Sequence, residues 1–383
     1  MPWKELSALD IKIEMIELWL NEEYTITELS TIYGVSRKTI YKWIERYNKR
    51  GILGLNESSR EPYSHPNATP EEIVKVILDK KKQKMGWGPK KILARLRNEY
   101  PDIKWPADST GNDILKRHGL VIPRKYRRHV TAYTEPFLGC NQSNKVWSAD
   151  YKGQFKTKDG KLCYPLTITD NYSRYLLCCR GLTHPTFAQT KPYFERVFRQ
   201  YGLPEAIRTD NGTPFAGSGL GGLSMLSVWF IKLGIKPERI EAGCPQQNGR
   251  HERMHRTLKQ MTASPPREDL TRQQIAFDCF VEEYNNERPH EALEQKPPSS
   301  VYSCSIRPYP VKIPSIEYND DDTIRYVHNN GCIKWNGGLC FLSKPLIGEY
   351  VKLKQIDKYL WEITYSSYPL GMLDEKKNKI IPY

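Results

Sequence analysis

Three carboxylates stand where they could hold metal ions. Asp150 ends the run Val146-Trp147-Ser148-Ala149-Asp150, Asp210 sits in Thr209-Asp210-Asn211-Gly212, and Glu252 follows Pro245 and Gly249 in a P-x-x-x-G-x-x-E pattern. The first two read as strand ends, and Asn211-Gly212 is a turn pair where the edge of a sheet opens. The third acid comes from a helix that Pro245 and Gly249 frame at its start. Hard divalent cations take oxygen ligands, and Mg2+ accepts only one or two carboxylates while keeping water and phosphate oxygens in its shell. Two ions held this way suit in-line phosphoryl transfer, one polarising the attacking oxygen and the other stabilising the departing one, without a protein nucleophile. No competing nucleophile motif is present.

Arg256 and Lys259 fall four and seven residues after Glu252. That spacing puts them on its helix face, where they could grip DNA phosphates. Asp170, in Thr169-Asp170-Asn171-Tyr172, is the rival acid and reads as a turn former. His251 lies about 100° around the helix from Glu252. His255 reads as a packing or DNA-contacting residue and His290 as a brace for the last helix.

The elements that must position this chemistry begin at 144, where the pattern turns to strand. Lys158-Asp159-Gly160 marks a hairpin into a strand over 162–170, and a third strand runs over 172–180. A helix over 187–201, a short strand into Asp210, a glycine-rich loop (Gly217, Gly219, Gly221, Gly222), a helix over 225–233, a strand over 235–241 and helices over 247–262 and 269–286 follow. This order predicts a mixed sheet flanked by helices. Short strands and turns after Pro297-Pro298 predict a small β-barrel.

The first 55 residues read as a helix-turn-helix. A helix over 10–21 is followed by one capped at Thr27, then Gly34 for the turn and Ser36 as the next cap; Ile40, Trp43 and Ile44 form the last helix's apolar stripe. In this motif Ser36, Arg37, Lys38, Thr39 and Lys42 would face DNA. A second such module spans 71–130, with helices over 71–82, from Pro89 and after Ser109. Its Lys90, Lys91 and Arg95 are candidate phosphate contacts, and Arg124, Lys125, Arg127 and Arg128 form a basic tether. The expected organisation is 1–55 helix-turn-helix, 56–70 linker, 71–130 second helix-turn-helix, 131–143 linker, 144–302 catalytic core and 303–383 C-terminal β domain. The fold class is therefore multidomain α+β.

Composition agrees with a polyanion partner. The 383 residues carry a formal charge of +14, from 58 Lys and Arg against 44 Asp and Glu. Residues 1–130 hold 25 basic against 17 acidic residues, so +8 of that charge sits in a third of the chain. Nine scattered cysteines lack metal-site pairing, which favours reduced structural thiols. No secretory signal or bilayer-length apolar run is visible, so a cytoplasmic location, associated with the nucleoid, is expected.

Taken together, the three acidic motifs resemble the catalytic core of retroviral integrases and bacterial insertion-sequence transposases. Tyr284-Asn285-x-Glu287-Arg288-Pro289-His290-x-Ala292-Leu293, followed by Pro297, is similar to the segment that closes this core in the bacterial enzymes. The resemblance implies a ribonuclease H-like core with Asp150, Asp210 and Glu252 as catalytic and metal-binding residues. It also implies Mg2+ or Mn2+, two ions per site, and a homo-oligomer that acts on double-stranded DNA, cutting at terminal inverted repeats and joining to target DNA. The 42 positions from Asp210 to Glu252 exceed the commonest family spacing, and the glycine-rich loop absorbs the excess. No retroviral-type His/Cys zinc module is present at the N-terminus, so recognition of ends passes to the helix-turn-helix modules. Two other functions share parts of this pattern: a domesticated DNA-binding regulator without catalysis, which would have no need of the acids, and a ribonuclease for RNA–DNA hybrids, which would not need paired helix-turn-helix modules.

Overall fold

A computed structural model describes residues 7–57, 68–121, 139–217, 219–241, 247 and 249–382. The chain divides into two compact units, Met1–Ala68 and Thr69–Tyr383. The basic tether residues Arg124, Lys125, Arg127 and Arg128, and Pro245, lie outside the described residues.

The first unit is three helices: α1 (Ala8–Leu20), α2 (Ile26–Ile32) and α3 (Arg37–Arg50). The cap of α2 is Thr25, not Thr27: its hydroxyl meets Glu28 N while the Glu28 carboxylate accepts from Thr25 N at 2.8 Å, and only Thr25 has a Glu three residues on. Gly34 takes φ +61° at the turn, and the Ser36 hydroxyl accepts from Thr39 N at 3.2 Å, as the sequence predicts. Met15, Ile16, Leu29, Ile40, Trp43, Ile44 and Leu55 form the core.

The second unit opens with α4 (Glu71–Gln83), α5 (Pro89–Glu99) and α6 (Asp108–Arg117) around Ile77, Trp87, Ile92, Leu93, Leu96 and Leu115. The last of these starts at Asp108, one residue before Ser109, and has no side-chain cap.

Next comes a six-stranded mixed sheet of β1 (Val146–Tyr151), β2 (Phe155–Lys156), β3 (Leu162–Asp170), β4 (Leu176–Leu182), β5 (Ala206–Thr209) and β6 (Lys236–Arg239). Here β1 is central, antiparallel to β3 and parallel to β5, while β6 extends the parallel side and β4 and β2 pair with β3. Helices α7 (Phe187–Tyr201), α8 (Met225–Lys232), α9 (Gly249–Thr262) and α10 (Leu270–Glu282) flank it. Trp147, Leu166, Ile168, Phe194, Phe198, Ile207 and Phe230 pack one face; Cys163, Leu176, Met254, Leu258 and Phe277 pack the other. Both faces are covered, which explains why β1 is buried along most of its length rather than half-exposed. The third strand begins at Leu176 and not at 172, because Asp170 accepts from Ser173 N and Oγ at 2.7 and 2.6 Å and turns the chain there.

The C-terminal β domain departs from the expected barrel. Strands β7 (Thr323–Tyr326), β10 (Tyr350–Asp357), β11 (Leu360–Tyr365), β12 (Tyr368–Asp374) and β13 (Lys379–Pro382) form an open antiparallel sheet, and β8 (Cys332–Trp335) pairs with β9 (Gly338–Phe341) as a separate hairpin. Edge strands β7 and β13 do not pair with each other, so no closed barrel forms among the described residues. The inner face instead buries Val351, Leu353, Ile363 and Leu373 against the hairpin's Ile333 and Trp335 and against Val228 and Ile231 of α8. The glycine-rich loop enters this contact: Gly221 O accepts from Tyr368 Oη and from Arg239 Nη2, at 3.4 and 2.7 Å.

Candidate active site

Strand register brings the two aspartates together. Ala149 of β1 lies opposite Thr209, the last residue of the parallel β5, so Asp150 and Asp210, which follows β5, come side by side at the sheet's end. Gly212 N donates to Asp210 Oδ1 at 3.1 Å, and a Cβ on Gly212 would lie 2.9 Å from Asp210 Oδ2, so the Asn211-Gly212 turn cradles this carboxylate. Burial pushes the Asp150 carboxyl up to about 7; the neighbouring Asp210 charge adds to this and the Glu252 charge contributes less. Burial raises Asp210 as well.

Helix α9 supplies Glu252. Its buried face is His251, Met254, His255, Leu258 and Thr262, so Glu252, Arg256 and Lys259 are left exposed along the adjoining side. The two histidines fix the helix to the sheet. Thr167 Oγ1 donates to the Asp150 carbonyl at 3.1 Å and lies 2.7 and 2.6 Å from Nε2 of His251 and His255; Thr169 Oγ1 lies 2.9 Å from His251 Nδ1. A hydroxyl has one hydrogen to give, so with it on the Asp150 carbonyl both Nε2 atoms act as donors to Thr167. His255 then presents an unprotonated Nδ1 to Asp150 Oδ2, 3.7 Å away. Both rings are neutral: burial lowers His251 to about 3, and burial with the adjacent His251 lowers His255 further.

Sequence reasoning leaves these histidines out of the site. Their four-residue spacing on one helix face, opposite the alternate Thr167 and Thr169 of one strand, is the signal that could have found them. Asp150, His251 and His255 form a group whose ligand atoms all lie within 4.8 Å of one another; Asp210 and Glu252 stand outside that group. Asp170 is a turn former, as the sequence suggests: it accepts from Asn144 N at 2.8 Å and from Ser173.

The DNA-contact candidates divide. Arg37, Lys38 and Lys42 are exposed along the start of α3, and Thr39 is half-buried among them. By contrast Lys90 reaches Glu291 at 3.4 Å, Arg95 pairs with Glu99 at 2.7 Å, and Lys91 is half-buried. The described thiols are all free, and no helix among the described residues is long and apolar enough to cross a membrane.

Comparison with known proteins assigns this architecture. Two models of the integrase core domain match residues 141–245 and 233–298, a helix-turn-helix model matches 11–63 and a homeodomain-like model matches 39–115. An insertion element IS407 protein of Burkholderia multivorans, itself uncharacterized, is 25% identical over 191 residues, 49% of this chain and 65% of that protein. The Gag-Pol polyprotein of baboon endogenous virus is 28% identical over 120 residues, 31% of this chain and 6% of the polyprotein. The chain thus spans under two-thirds of one relative and a small part of the other. The catalytic core domain of HTLV-2 integrase aligns with a TM-score of 0.34 at 17% identity, covering 42% of this chain and 98% of that one. Residues 141–298 thus match the integrase core domain, and residues 11–115 match helix-turn-helix and homeodomain-like domains.

Proposed function

We propose that this protein is an insertion-sequence transposase that binds the terminal inverted repeats of its element, cleaves DNA strands there and joins them to target DNA. The observation that carries the reading is the placement of Asp150 and Asp210 abreast at the ends of two parallel strands, with Asp150 raised to about 7 chiefly by burial and Glu252, exposed on α9, within electrostatic reach of it. Placing the Asp150 and Asp210 charges together where burial raises both is unfavourable without a cation, and the donors are hard oxygens with a nitrogen, His255 Nδ1, at their edge. That set fits a divalent ion, Mg2+ or Mn2+, with two ions per site. Such ions supply Lewis-acid activation of the attacking and leaving oxygens. Asp150 and Asp210 would hold them from the sheet and Glu252 from the helix; Arg256 and Lys259 would draw the DNA backbone along α9; Thr167 and the two histidines keep α9 in register with β1. The helical modules would select the ends, with Arg37, Lys38, Thr39 and Lys42 at the base edges, and the enzyme would work as a homo-oligomer on DNA in the cytoplasm.

The test is strand nicking of a duplex carrying the sequences that flank the gene, with Mg2+ or Mn2+. Asp150→Asn, Asp210→Asn and Glu252→Gln each should lower cleavage by about a thousandfold or more, corresponding to several kcal/mol of lost transition-state stabilisation, while duplex binding persists. Full activity in all three variants would refute the assignment.

A further inference from the structure

A second concentration of charge lies beside the carboxylates and takes no part in the site described above. Lys84, just after α4, pairs with Glu283 at 3.0 Å and Glu287 at 2.7 Å, and Lys90 reaches Glu291 at 3.4 Å. These contacts lay the start of α5 against the turn that continues α10 and against Arg288-Pro289-His290. They also engage all three acids of that segment.

What remains in the seam is mainly cationic, with Glu283, whose Oε1 is buried without a hydrogen-bond partner, the acid that acts on Arg288. Arg288 and Arg253 both lie within electrostatic reach of Lys91, with Glu291, already on Lys90, the acid that acts on Lys91. Arg174 and Arg250 both donate to the Asn171 carbonyl, Arg250 at 3.3 Å. His290 packs edge-on against Tyr284 with ring centroids 4.8 Å apart and feels Lys91, Arg288 and Arg174. The ion pairs at this seam use Lys84 and Lys90; among the described residues Lys91, Arg253 and Arg288 form none. Arg288 is only 8% exposed, and its Nη1 and the Nε2 of His290 are buried without a hydrogen-bond partner.

A buried donor without an acceptor costs on the order of 1–3 kcal/mol, more when charged, and mutual repulsion adds to that. Burial and the neighbouring Arg288 and Arg253 already lower Lys91 to about 7. The arrangement makes physical sense when an oxyanion completes it: guanidinium groups match a phosphate's oxygens as a fork, and the lysine adds a point charge.

We propose that the seam between α5 and the Arg288–His290 segment is a phosphate site, which on the functional reading above receives a backbone phosphodiester of the bound DNA. Arg250 and Arg253 flank Glu252 on α9, so a phosphate held here fixes the strand relative to the catalytic helix. Lys91 belongs to the helical module, so the same phosphate joins that module to the core.

Two measurements on the full chain test this. In the first, inorganic phosphate replaces chloride at constant ionic strength. Wild type should melt higher in phosphate, since a ligand bound by the native state stabilises it. The Lys91→Gln/Arg253→Gln double variant, altered at partly or fully exposed positions that leave no core cavity, should lose that shift and melt no lower than wild type in chloride. In the second, binding of a short duplex of arbitrary sequence is followed against salt; the double variant should show a log K against log [salt] slope shallower by about one. Equal phosphate shifts in both proteins, or none in either, together with an unchanged slope, would overturn the site. Loss of the phosphate shift in the variant while wild type binds no duplex at all would leave the site standing and remove the DNA reading.

Discussion

The two helical modules look alike in sequence and differ in what their basic residues meet. On α3 of the first unit, Arg37, Lys38 and Lys42 are exposed beside a core closed by Ile40, Trp43 and Ile44. On α5 of the second unit, Lys90 reaches an acid of the core's closing segment, Arg95 is paired within its own helix, and Lys91 is drawn into a seam of like charge. A solvated charge leaves folding nearly unaffected and acts when a ligand arrives. A charge buried among its own sign weakens the free protein and is relieved by its ligand. Asp150 and Asp210 of the proposed catalytic site follow the second pattern with the opposite sign.

The strongest test of that contrast is Asp150. Its carboxyl rises from 3.8 to about 7, chiefly through burial, and its side chain is 16% exposed. A group whose folded pKa is raised contributes stability that is fully present below the unfolded pKa and is lost as pH rises through the folded one, here between about 4 and 7. At about 1.4 kcal/mol per unit the loss is at most about 4 kcal/mol. His251, His255 and His290 work the other way: their lowered pKa values give stability that is present above about 6.5 and lost as pH falls. The difference between proteins isolates the aspartate: without divalent metal, Asp150→Asn should equal wild type near pH 4 and exceed it by up to a few kcal/mol at pH 8 in urea unfolding. A flat difference across that range would place Asp150 with the solvated charges.

Removing charge from α3 should have the reverse profile. Arg37→Ala with Lys38→Ala is expected to weaken binding to the cognate ends by roughly 1–3 kcal/mol for each side chain that reads a base edge, while unfolding free energy changes by no more than about 0.5 kcal/mol. Fluorescence anisotropy on end-containing and scrambled duplexes reads the first, and urea melts the second. Equal weakening on both duplexes would make these residues phosphate binders rather than base readers.

Legibility in the sequence followed the same division. Local features could be read directly: Gly34 at the turn, Ser36 as a cap and the mixed order of strands and helices, because each depends on residues close in the chain. The placement of the two aspartates at strand ends was legible because strand ends and turn pairs announce themselves. What stayed hidden depended on pairing across the sheet. Thr167 and Thr169 look like ordinary β-branched strand residues until β3 is placed beneath α9, and His251 and His255 become a brace for Glu252 only then. The barrel expectation failed for a related reason, since strand count says nothing about whether the edge strands β7 and β13 meet. Lys91 reads as a surface phosphate contact until the Lys84 and Lys90 pairs bring α5 against Arg288.

The smallest expected effect concerns how α3 is held. The Ser36 hydroxyl accepts from Thr39 N at 3.2 Å and lies 2.9 Å from Thr39 Oγ1, satisfying one of the helix's free amides and tying down a residue proposed to face DNA. Ser36→Ala should destabilise the first unit by about 1 kcal/mol, and Ser36→Asp, which keeps an acceptor and places a negative charge at the positive end of the helix, should restore most of it. Yet the same aspartate would set a negative charge beside DNA phosphates. Restored stability with weakened DNA binding is therefore the expected signature of a cap lying against DNA. Recovery of both would mean that α3 presents some other stretch to its ligand, and the contrast between the two modules would then rest on α5 alone.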